Sequence, residues 1–172
     1  MARRFHRPRT KSIWLVVLVV VVMLVRYWST EKRRPAPEVL SAGTYQVERV
    51  VDGDTLELAN GARVRLIGVD TPETVRPNHP VEPFGPEATA FTKHFVRGGE
   101  VQLRLDKERL DRYGRFLAYV WVDDQMLNEE LVRAGLAQAK TSFYYSDAMK
   151  RRFRAAQQEA REANRGIWSE PK

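Results

Sequence analysis

Between Val50 and Glu73 the chain carries two acidic signatures, Val50-Val51-Asp52-Gly53-Asp54-Thr55 and Val69-Asp70-Thr71-Pro72-Glu73, with Arg65 between them. Hard cations take oxygen ligands, and a phosphodiester under attack needs positive charge around it. A third segment, Asp111-Arg112-Tyr113-Gly114-Arg115, offers a second arginine from a distant part of the chain. Carboxylates, a hydroxyl and two guanidinium groups are the parts from which a hydrolytic centre for phosphate esters is built.

Taken singly, each part has a plainer reading. Asp-Gly is first of all a turn signal, and Asp70-Thr71-Pro72 reads as a turn stiffened by proline. In the functional reading Asp54 and Asp70 face a cation and Thr71 adds a neutral oxygen. Glu73 lies one step further out, placed to orient or deprotonate a water. Two carboxylates with neutral oxygens suit a hydrated Ca²⁺ site of moderate affinity. Arg65 and Arg115 read either as surface residues or as forks for phosphate oxygens, which guanidinium binds in pairs. Side chains alternate along a strand, so Arg65 and Asp70 point to opposite faces unless Gly68 marks a bulge or close approach. Tyr113 reads as a stacking surface or a cover for the end of a barrel.

The remaining candidates are weaker. His6, His79 and His94 are dispersed and form no ligand spacing. Phe143-Tyr144-Tyr145 suits a stacking platform or packing for the last helix, and Lys150, Arg151, Arg152 and Arg154 read as a solvated helix face. The chain has no cysteine, which excludes disulfides, thiolate metal sites and a cysteine nucleophile. No glycine-rich phosphate loop, serine elbow or zinc spacing is present.

A length of 172 residues and a hydrophobic share of 43% suit one domain with an appendage. The net charge of +7 is unevenly placed: residues 1–34 hold nine Lys or Arg against one acid, the other 138 hold 20 against 21. A broad cationic footprint for nucleic acid is therefore absent from the folded part. Phosphate recognition falls to a few placed arginines and a bound cation.

Ile13 to Val25 is an unbroken run of 13 apolar residues behind a basic segment. The organisation expected is a basic tail over 1–12, a membrane signal-anchor over 13–28 and a charged linker over 29–43. The folded domain then occupies 44–170, on the far side of the membrane from the cytoplasm. A cleaved export signal also fits the length of the run. Within the domain, strands are expected over 45–51, 55–58, 63–69, 101–105 and 116–122, with Asn60-Gly61 as a hairpin turn. Helices follow from Pro86 to about Val96, from an Asn128 cap to Gly135, and from about Ser146 to Gly166. Five strands with helices after the third and fifth point to a mainly β, α+β fold, an OB-like barrel.

With its motifs in order, the chain resembles the staphylococcal-nuclease (thermonuclease) family across about residues 45–170. The matching text is VVDGDT, VRLIGVDTPE, FGPEATAFTK, DKERLDRYGRFLAYVW, MLNEELVRAGLA and NRGIWSE. The resemblance implies an OB barrel with three helices and Ca²⁺-dependent hydrolysis of DNA and RNA, leaving 3′-phosphate and 5′-hydroxyl ends. It implies Asp54, Asp70 and Thr71 as calcium ligands and Glu73 as the residue that orients or activates water. Arg65 and Arg115 would then hold the scissile phosphate, and Tyr113 would contact a nucleotide. The loop TVRPNHPVEP lacks the lysine-rich character of the family's best-known member, and Gln138–Ser146 does not align cleanly, so no base-stacking tyrosine is carried there. The expectation is a monomeric, membrane-tethered endonuclease. A non-catalytic OB-type binder of single strands and a membrane-anchored adaptor for peptides are the alternatives.

Overall fold

A computed structural model of the chain describes residues 14, 16–24, 36–74 and 80–169. The chain divides into two units, residues 1–34 and 35–172. In the first, Trp14 and residues 16–24 are helical with their apolar side chains exposed. Among the described residues no helix is long and apolar enough to cross a membrane. The basic tail, both ends of the apolar run, residues 29–35 of the expected linker, and His6 and His79 lie outside the described residues.

The second unit is built on strands β1 (Gly43–Asp52), β2 (Thr55–Leu58), β3 (Arg63–Leu66), β4 (Val69–Asp70), β5 (Glu100–Arg104), β6 (Phe116–Val122), β7 (Gln125–Met126) and β8 (Gln138–Ala139). Helices α1 (Gly85–Phe95), α2 (Leu127–Arg133) and α3 (Asp147–Glu162) join them. The sheet runs β3-β2-β1-β5-β6, and a parallel pairing of β3 with β6 closes it on itself. This five-stranded closed barrel agrees with the OB-type architecture anticipated from the spacing. Leu56, Leu58, Val64, Leu66, Val101, Leu103, Ala118 and Val120 fill its interior. Each fully buried leucine there contributes about 1.5–3 kcal/mol. The core also takes in Leu40, which the sequence reading placed in the linker.

Three local expectations are corrected. The strand anticipated over 63–69 ends at Leu66, and a turn at Ile67-Gly68 separates it from β4. Gly68 has φ +77°, and a Cβ there would lie 2.7 Å from the Tyr145 ring, so the turn needs glycine on both counts. The turn reverses the strand and lets β4 pair with β8. Asn128, expected as a cap, is instead fully buried in the first turn of α2. Its Oδ1 accepts from Val120 N (2.9 Å), and its Nδ2 donates to the Ile67 and Ala118 carbonyls (3.0 and 3.3 Å). The last helix ends at Glu162, four residues before Gly166, because Asn164 turns left-handed at φ 49°.

Asn128 thus ties α2 to β6 and to the turn that precedes β4. Substituting it with alanine leaves the Val120 N–H and the Ile67 carbonyl short of a partner, each worth about 1–3 kcal/mol when unsatisfied, while the Ala118 carbonyl keeps Ile67 N at 3.0 Å. Asn128→Ala is expected to lower stability by about 3 kcal/mol, read as a fall in the urea midpoint at unchanged slope.

Candidate active site

Asp54 sits in a turn of only two residues, since Asp52 pairs directly with Thr55 across the β1–β2 hairpin. The turn is tight because Gly53 has no side chain: a Cβ would fall 2.8 Å from Ala88 and 2.9 Å from Thr71. Helix α1 presses on it from behind, where Thr92 Oγ1 donates to the Gly53 carbonyl at 2.6 Å. Asp52 Oδ1 accepts from Asp54 N at 3.0 Å and stiffens the turn further. Asp54 is therefore a carboxylate held by backbone geometry, only 5% exposed.

Around it the other motif residues converge. Thr71 donates to Asp54 Oδ2 from both its N and its Oγ1, each at 2.9 Å. Thr55 Oγ1 donates to Asp54 Oδ1 at 3.1 Å. Arg65 Nη2 lies 3.0 Å from Asp54 Oδ2 and 2.9 Å from Asp70 Oδ1, so both carboxylates meet at one nitrogen. Its Nη1 donates to the Leu66 and Val69 carbonyls at 3.1 and 2.8 Å, which locks the guanidinium across the β3–β4 turn. Arg65 and Asp70 thus meet through the reversal at Gly68, where simple alternation put them on opposite faces. The other oxygen of Asp70 pairs with Lys140 Nζ at 3.2 Å.

Arg115 enters from the turn before β6. Asp111 organises that turn, its Oδ1 accepting from Tyr113 N and Arg115 N (both 2.9 Å) and its Oδ2 from Arg115 Nε (2.7 Å). Arg115 Nη1 then lies 3.5 Å from Thr55 Oγ1, beside the acidic turn. Asp52, Asp54, Arg65, Asp70, Glu73 and Arg115 together line one cavity of about 150 Å³. Glu73 is fixed by exchange with Glu82: its N donates to Glu82 Oε2 (3.0 Å), and its carbonyl accepts from Glu82 N (2.9 Å). Arg65 and Arg115 also border a larger cleft of about 550 Å³ with Tyr113 and Phe143 on its walls. Tyr113 is well exposed, and Arg112 and Arg115 lie 4.8 and 5.4 Å from its ring centre.

The aromatic run divides. Phe143 and Tyr144 are exposed, while Tyr145 is buried against Phe153 beneath Gly68. The basic residues of α3 are only partly a solvated face: Arg152 pairs with the buried Glu129, and Arg154 donates to Thr141 Oγ1 at 3.2 Å. His94 is exposed and touches Arg97. The sequence reading missed Thr55, Asp111 and Lys140. The Asp111–Arg115 spacing across a glycine was the available signal for one of them, and none existed for Lys140.

The staphylococcal nuclease homologue family profile matches residues 63–170. The chain belongs to the staphylococcal nuclease family. It is 40% identical over 166 residues to the thermonuclease of Staphylococcus hyicus, covering 93% of this chain and 97% of that one. Against the thermonuclease of Staphylococcus intermedius it is 41% identical over 165 residues, with 92% and 96% covered. The endonuclease YncB of Bacillus subtilis strain 168 is 41% identical over 127 residues, 72% of this chain and 60% of its own length. The protein is a nuclease, a hydrolase of nucleic acids.

In this nuclease the acidic turn is electrostatically costly. Burial pushes the Asp54 carboxyl up to about 6, Asp52 adds to the rise, and Arg65 and the Thr71 N–H oppose it. Arg65, 3.0 Å from Asp54 Oδ2, offsets that cost only in part. Among the described residues no group of three or more His, Asp or Glu is arranged for a metal. The two carboxylates that share Arg65 Nη2, with hydroxyl and carbonyl oxygens nearby, nevertheless fit a hard cation that keeps much of its water.

A carboxyl with a raised value in the folded state stabilises the fold below its ordinary value near 3.8, and that contribution is lost as pH rises through about 6. In chelator, Asp54→Asn is therefore expected to be more stable than the parent at pH 7.5, on the order of 2 kcal/mol. Urea unfolding at steps from pH 4 to 7.5 should show the two proteins converging at the acid end.

Proposed function

We propose that this nuclease is a Ca²⁺-dependent endonuclease, tethered to a membrane, that cleaves DNA and RNA to 3′-phosphate and 5′-hydroxyl ends. The observation that carries the reading is the meeting of Asp54 and Asp70 at Arg65 Nη2, with Arg115 and Glu73 lining the same cavity. Asp54, Asp70 and Thr71 hold the cation in this reading. When bound, Ca²⁺ supplies Lewis-acid polarisation of the phosphate and offsets its charge.

Glu73 orients a water for in-line attack on phosphorus and accepts its proton. The water oxygen forms the new P–O bond as the bond to the 5′-oxygen breaks, and the 5′-oxygen takes a proton from solvent water to leave as hydroxyl. Arg65 and Arg115 donate to the phosphate oxygens, where negative charge grows in the transition state. Asp111 supports this work by fixing the Nε edge of Arg115. Tyr113 and the 550 Å³ cleft beside Arg115 receive the adjoining nucleotide. The nearly neutral charge of residues 35–172 agrees with a site that concentrates its positive charge at two arginines and a cation.

The tether is residues 13–28, preceded by a basic tail over 1–12 and followed by a linker that ends before Leu40, which is already part of the core. Supporting it are the exposed apolar helix over 16–24 and the flanking Arg26, Tyr27 and Trp28. The nuclease domain lies outside the cytoplasm, acting as a monomer.

Arg115→Gln is expected to lower kcat about 10²- to 10³-fold on a single-stranded DNA oligonucleotide. Chelation, Asp54→Ala and Asp70→Ala should each remove cleavage while circular dichroism shows an intact fold; full activity in chelator would exclude the cation. For the tether, the full chain should sediment with membranes after a high-salt wash and be released by detergent. Recovery in the soluble fraction would refute it.

A further inference from the structure

Among the described residues Lys140 is a cation at the site that the acidic motifs do not announce, and its placement is specific. It follows β8, whose antiparallel pairing sets Ala139 opposite Val69 and Gln138 opposite Asp70. Lys140 N donates to the Gly68 carbonyl at 2.8 Å, so its backbone is pinned to the same turn that reverses β3 into β4. The ammonium sits 3.2 Å from Asp70 Oδ2, while Arg65 holds Asp70 Oδ1. Asp70 is thus neutralised from both sides. The two cations differ in freedom. Arg65 is 15% exposed and bound to two carbonyls, whereas the Lys140 side chain is 38% exposed with no second partner among the described residues.

We infer that Lys140 is a built-in competitor for the cation at Asp70, and that once displaced it serves as a further contact for the substrate's phosphates. This rests on the reading of Asp54 and Asp70 as cation ligands. Two positive charges cannot share Asp70 Oδ2 without mutual repulsion, so the mobile one gives way to a divalent ion. Released, the flexible ammonium stays tethered beside Asp70, whose carboxylate rims the cavity that Arg65 and Arg115 also line. A polyanionic chain is the partner of opposite sign that then occupies that rim. Lys140 therefore penalises the cation when the site is empty of substrate and favours substrate once the cation is in place. The same residue couples the two binding steps.

The two halves of this role predict shifts of opposite sign. Calcium affinity is measured by calorimetry on the full chain, stripped of metal and kept in detergent, for the parent, Lys140→Met and Lys140→Arg. Lys140→Met is expected to bind Ca²⁺ about 10-fold tighter, the effect of removing a like charge from beside a divalent ion in a water-exposed site. Its KM for a single-stranded DNA oligonucleotide at saturating Ca²⁺ should rise about 3- to 10-fold, and Lys140→Arg should keep both parental values. A merely structural lysine would weaken both together. Parental calcium binding with Lys140→Met unchanged or weaker overturns the competitor role alone. Cleavage by a parent that retains no calcium overturns the cation reading and this one with it.

Discussion

The site depends on one guanidinium held between two carboxylates. Arg65 joins Asp54, on the β1–β2 turn, to Asp70, on the short strand β4, and does so through a single nitrogen. Removing Arg65 would leave two carboxylates facing one another, one of them buried, with the charge between them uncompensated. The geometry of the centre is therefore enforced by electrostatics as much as by the backbone. Arg65 itself is anchored by two carbonyls of the chain reversal it spans, so the bridge cannot drift without disturbing the turn.

The scaffold places these groups at one rim of the barrel because register brings them there. Thr55 on β2 stands opposite Arg65 on β3, and Arg65 in turn stands beside Leu117 on β6. Arg115 lies two residues before that pairing position. Outside the barrel, α1 backs the acidic turn through Thr92 and Ala88. A second polar network holds the segment after β8. Asp106 accepts from Ser146 N and Tyr119 OH. Burial would raise the Asp106 carboxyl, yet its hydrogen bonds from Tyr119, Ser146 and Lys107 outweigh that and hold it below the usual range. This is the reverse of Asp54, where burial prevails. The surroundings of one acid favour its anion, and those of the other oppose it.

Much of this was legible in local sequence, and the limits follow physical lines. The extent of strand β6 is legible because its seven apolar and aromatic positions are bounded by Gly114-Arg115 and Asp123. Asn60-Gly61 and Pro86 marked a turn and a helix start because their backbone preferences are intrinsic. Asp54 and Asp70 stood out through their turns. By contrast, the meeting of Arg65 with Asp70 required knowing that Gly68 is packed against Tyr145, a contact across 77 positions. Lys140 depended on pairing between two strands of two residues each, too short to show any periodicity. Asn128 looked like a helix cap, since local pattern cannot reveal that an amide of β6 and the Ile67 carbonyl await a side-chain partner.

The parallel seam between β3 and β6 joins residues about fifty positions apart in the chain. Contacts of such long range form slowly, after the loop entropy between them has been spent. Arg65 lies on that seam and Arg115 at its edge, so the two arginines come together only when the cylinder shuts. A denatured chain consequently carries all the motifs in sequence order, yet Arg65 and Arg115 become neighbours only in the closed barrel.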